Sequence, residues 1–95
     1  MNVKVIKTVA GEEIISDLTE RDEYYVLNEP MLVAVNDGRL VFIPYMQYTD
    51  AAKSLTLLKQ HVILVVNPVD SLIDDYESAT AKVTKPRKSI VSSVP

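Results

Sequence analysis

The chain has no cysteine, no tryptophan, a single histidine at His61 and two glycines in 95 residues. Without cysteine there is no disulfide and no thiolate metal centre, and one imidazole cannot supply the several ligands a structural zinc needs. Long apolar runs are missing too. No stretch approaches the ~20 residues of a membrane-spanning helix, and the first residues lack the charged segment and apolar core of a secretion signal. These absences lead to the expectation of a cytoplasmic protein. No acid and base of matched character fall together either, because the carboxylates sit in loops and exposed strand positions without a partner. The chain is therefore expected not to be an enzyme and to take no cofactor or metal. Asp17, Glu20, Asp22 and Glu23 crowd together in sequence, but they lack the alternating ligands and the glycine of a calcium loop and are read as solvated.

What is present is a series of short strand signals. Hydrophobic residues make up 47% of the chain and the mean hydropathy is +0.09. A domain of this size buries roughly 60–65% of its unfolded surface, so its own core leaves it marginal. With disulfides and metals excluded, association with further copies is the remaining route to stability, and surplus apolar residues on open strand edges would serve it. Charge is unevenly placed. Residues 1–81 hold six cations against all thirteen acids, a balance of −7, whereas Lys82, Lys85, Arg87 and Lys88 bring the overall charge to −3. The four tail cations suit either a solvated terminus or an arm for nucleic-acid phosphates.

Val3 to Val9 and Glu12 to Glu20 form the first two strand signals, turned at Ala10-Gly11, and neither has a purely polar face. After the polar loop Arg21-Asp22-Glu23, a third signal runs from Tyr24 to Asn36 and is interrupted by Pro30, where a missing ladder donor predicts a bulge or sharp bend. Asp37-Gly38 is the sharpest local signal, because a two-residue type I′ turn needs positive φ at both central residues. A fourth strand follows from Leu40 to Gln47, with Pro44 marking an edge or an end. Tyr48 to Ser54 reads as a polar connection with a helical turn begun by Asp50, and Leu55 to Val66 as one fifth strand. Leu72, Ile73 and Tyr76 then fall at helical spacing, with Ser71 and Asp74 resembling a capping box, for a helix of about three turns. Residues 1–80 are expected to form one all-β domain with this terminal helix, and residues 81–95 a flexible basic tail.

Five bent strands joined in this order, with Val9-Ala10-Gly11-Glu12-Glu13-Ile14-Ile15 and Leu18 to Leu27 following the residue types of the first Sm motif, resemble the Sm/LSm family of small β-barrels. Asn28 lies beyond the place of that family's base-binding asparagine, and Val26 occupies the neighbourhood. Gln60-His61-Val62-Ile63-Leu64-Val65-Val66-Asn67-Pro68 is similar to the last strand of the bacterial Hfq branch, with Gln60 in place of its lysine. A compact protein of this style is also similar to some encoded by tailed phages.

The resemblance implies a strongly bent five-stranded barrel and a cyclic homo-oligomer of about five to seven copies. It also implies binding of single-stranded RNA or DNA around a pore, with a role in nucleic-acid processing. Tyr24 or Tyr25 would stack on a base, and His61 or Asn67 would line the pore. Lys82, Lys85, Arg87 and Lys88 would hold phosphates. A ring that serves instead as an assembly or adaptor protein, binding protein and no nucleic acid, is the alternative.

Overall fold

The computed structural model describes residues 1–84, with side chains through Ala81. The described residues form six strands and one α-helix: β1 (Val3–Thr8), β2 (Glu13–Glu20), β3 (Tyr24–Asn36), β4 (Arg39–Pro44), β5 (Ser54–Leu58), β6 (Val62–Val66) and α1 (Asp70–Thr84). All pairings are antiparallel, in the order β4-β3-β2-β1-β6, with β5 also paired to β3. The fold is all-β with a C-terminal helix. The ladder itself is not closed into a barrel.

Pro30 bends β3 as its chemistry requires. Between the pairs Ile15–Met31 and Asp17–Asn28, β2 contributes one residue, Ser16, where β3 contributes two, Glu29 and Pro30. That bulge puts Glu29 at φ +50 and reverses the facing of β3, so that Leu27 and Leu32 share one face despite their odd spacing. It also divides the strand's outer edge: Tyr24 to Asn28 pair with β5, and Met31 to Asn36 pair with β4. At the β3–β4 tip, Asp37 and Gly38 have φ of +54 and +75, the two positive values of a type I′ turn.

The fifth strand expected over Leu55–Val66 is two strands. Lys59–His61 form a 3-10 turn that takes the chain from β5, on the β3 edge, to β6, on the β1 edge. Three polar residues in an apolar run suffice for this, and a turn this short brings opposite edges of the sheet near each other only because the sheet is strongly curled. Inside the curl lie Ile6, Ile14, Leu18 and Leu27, with Leu55, Leu57, Val62 and Val65 packed against them.

The other face is covered by α1. Tyr76, fully buried, packs with Val3 of β1, Ile15 of β2 and Met31 of β3, while Leu72, Ile73 and Ala79 of the helix and Phe42 of β4 surround them. Both faces of β1 and β2 are thus buried, which explains their lack of a polar face. The helix starts at Asp70, and the Val69 carbonyl accepts from Leu72 and Ile73 at 3.0 and 3.2 Å. Ser71 therefore lies within the first turn and is not the cap, and the helix runs on to Thr84. Among the described residues no helix is long and apolar enough to cross a membrane.

One carboxylate at the bulge is poorly served. Glu29 Oε1 is buried without a hydrogen-bond partner, and burial, with the nearby Asp17 charge, raises its carboxyl above the ordinary 4.5. A raised acid favours the folded state fully below pH 4.5, and that contribution is lost as pH climbs through the folded value. Glu29→Gln should remove this loss. In paired urea titrations from pH 4 to 8 we expect the variant to gain on the parent as pH rises. A constant difference across the range would show that Glu29 does not titrate abnormally.

Candidate nucleic-acid interface

The β2–β3 connection and the Lys59–His61 turn meet at one end of the curled sheet. Arg21, Asp22 and Glu23 form the connection, which the Arg21 N–H closes on the Tyr24 carbonyl at 2.9 Å. The Lys59 N–H donates to the Glu23 carbonyl at 3.1 Å, which fixes the second loop to the first. Side chains repeat the link. Lys59 Nζ lies 2.7 Å from Glu20 Oε2 and 5.3 Å from the Tyr25 ring centroid. The hydrogen bond to Glu20 is the main reason that the ammonium is held above the ordinary lysine value.

Between the two loops opens a cleft of 620 Å³ lined by Glu20, Arg21, Asp22, Tyr24 and Lys59. Its aromatic wall is Tyr24, which is 36% exposed. Tyr25 is different, because it is half-buried against the interior cluster and Lys59 sits over its ring. Of the two tyrosines marked by sequence, Tyr24 is the one that lines the cleft. Arg21 and Lys59 supply cations, and Glu20 and Asp22 supply carboxylates, so the cleft is near neutral and not strongly positive.

The remaining marked residues lie elsewhere. His61 belongs to the same 3-10 turn and is exposed, but its carbonyl binds the Val9 N–H at 2.9 Å and it does not line the cleft. Asn67 follows β6 at the strand's far end, where its side-chain oxygen accepts from Lys4. Lys85, Arg87 and Lys88 lie outside the described residues, as does the Lys82 side chain. Sequence reading missed Lys59, Arg21, Glu20 and Asp22 as cleft residues. A lysine opening a polar triplet within an apolar run was the available signal for Lys59. Among the described residues no three histidine or carboxylate side chains converge as a metal site needs.

Among the described residues β4, β5 and β6 each pair on one side only, and the free edges of β4 and β6 are apolar. β4 ends the strand order on one side and exposes Leu40 and Ile43, beside a groove that Tyr45, Met46 and Tyr48 help to line. β6 ends it on the other and exposes Ile63, Leu64 and Val66. Compared with models of known protein families and with curated proteins, the chain matches none.

Proposed function

We propose that this chain is an Sm-like protein that assembles into a closed ring and binds single-stranded nucleic acid in the cleft between its β2–β3 turn and its Lys59–His61 turn. The observation that carries the reading is the convergence of those two turns on an exposed tyrosine flanked by Arg21 and Lys59. An unstacked base on an aromatic face with cations nearby is the general mode of single-strand binding. The strand order β4-β3-β2-β1-β6, the bend in β3 and the short 3-10 turn before the last strand support the Sm-like part of the proposal. In a head-to-tail ring, β4 of one copy would pair with β6 of the next and cover both apolar edges.

The test is a salt-titrated binding assay with single-stranded RNA and DNA. Phosphate contacts must weaken as salt rises, with a slope of about 0.7 for each phosphate neutralised. Tyr24→Ala should weaken binding by about 1–3 kcal/mol and leave the slope unchanged, since stacking releases no counterions. Removal of residues 82–95 should lower the slope. If the parent fails to bind at low salt, the nucleic-acid reading falls. The second reading, a ring that docks proteins, would then stand, and the −7 balance over residues 1–81 favours it.

A further inference from the structure

Asp22 is the one carboxylate in the cleft with no hydrogen bond or ion pair to another described residue. Glu20 is engaged by Lys59 at 2.7 Å, and Glu23 contributes its backbone carbonyl to the turn and does not line the cleft. Lys59 feels the charge of Asp22 without contacting it. Asp22 is exposed and lines the cleft together with Tyr24, so its carboxylate is open to the edge of a base that enters there. Resting on the reading of the cleft as a single-strand site, we propose that it selects guanine, with the base stacked on Tyr24 and its Watson–Crick edge bound by Asp22.

The argument is one of donors and acceptors. An ionised carboxylate offers two acceptor oxygens and no donor, and it binds best to two donors side by side. Guanine presents such a pair, N1–H and the N2 amino group. Adenine and cytosine place one amino donor beside a ring-nitrogen acceptor, which the second carboxylate oxygen would repel. Uracil offers a single N3–H between two carbonyl acceptors. Unstacked bases in single strands are read on these edges. The cleft's near-neutral charge is consistent with this division of labour: Arg21 and Lys59 meet the backbone while Asp22 meets the base.

The experiment is fluorescence anisotropy at low salt with labelled hexauridine and with versions carrying one central guanine, inosine, adenine or cytosine. The guanine oligonucleotide should bind about tenfold more tightly than hexauridine, the size of one good bidentate contact. Inosine keeps N1–H but lacks the amino group and should fall between them. Asp22→Asn, at an exposed turn position whose folding a thermal melt can check, should bring the ratio of guanine to hexauridine affinity to about one, whatever it does to the affinity for either alone. Equal binding of all five by the parent, or a preference that survives in Asp22→Asn, would overturn the guanine assignment and leave the single-strand reading intact. Failure of every oligonucleotide to bind the parent would remove both.

Discussion

Tyr76→Ala should unfold the chain at far milder denaturant than any other single truncation on the helix side of the sheet. The ring is fully buried among Val3, Ile15 and Met31, and truncation of a buried aromatic costs about 3–5 kcal/mol through lost contacts and the cavity left behind. The hydroxyl adds to that. It accepts from the Asp17 N–H at 3.2 Å and shares its one proton between the carbonyls of Asn28 and Glu29, at 3.0 and 2.9 Å. Those two carbonyls stand at the β3 bulge, where the extra residue disturbs the ladder. Tyr76 therefore ties the helix to the point at which the sheet bends.

Since a domain of this size has a total stability of about 5–15 kcal/mol, the alanine variant should lie near the limit of folding. Tyr76→Phe keeps the ring and removes only the hydroxyl, and it should cost about 1–3 kcal/mol. That loss corresponds to a fall in Tm of roughly 4–8 °C per kcal/mol. Urea titrations of the three proteins separate the contributions. If alanine and phenylalanine destabilise equally, packing is minor and the hydroxyl is the main bond between helix and sheet. If neither does, the helix is not docked in solution.

The bend that Tyr76 holds was legible in the sequence, because Pro30 cannot donate to a ladder and the apolar pattern resumes after it. Asp37-Gly38 was legible for a similar local reason. The break at Lys59–His61 was not, since it contains no glycine or proline and its flanks, Leu55–Leu58 and Val62–Val66, have the same strand character. Only the requirement that β5 reach β3 and β6 reach β1 makes the turn necessary, and that is a property of the whole sheet. The site divides in the same way. Tyr24 was marked by its place at a loop–strand junction, but the ion pair that places Lys59 joins residues 39 apart in sequence. Tyr25 and Asn67 looked equivalent to the residues that line the cleft until pairing register put one under Lys59 and the other beside Lys4.

The open edges lead to the second large effect, on assembly. Leu40 on β4 is 56% exposed, and Ile63 and Leu64 on β6 are 57% and 50% exposed, beside backbone groups that no strand among the described residues pairs. In a head-to-tail ring each Leu40 edge faces a neighbour's Leu64 edge, whereas a two-fold dimer would place like edges together. Leu40→Lys and Leu64→Glu should each leave the subunit's stability within about 0.5 kcal/mol, because both sites face solvent in the single chain. At an interface the same charge is buried without a partner and repeated at every contact, so each variant should dissociate to a 10.6 kDa monomer. Combining both substitutions in one chain discriminates the geometry. Across a head-to-tail contact lysine meets glutamate and assembly should recover at low salt, but across a two-fold contact like charges meet and dissociation should deepen. Light scattering at micromolar concentration reads all four proteins, and a parent that is itself a monodisperse monomer would rule out the ring.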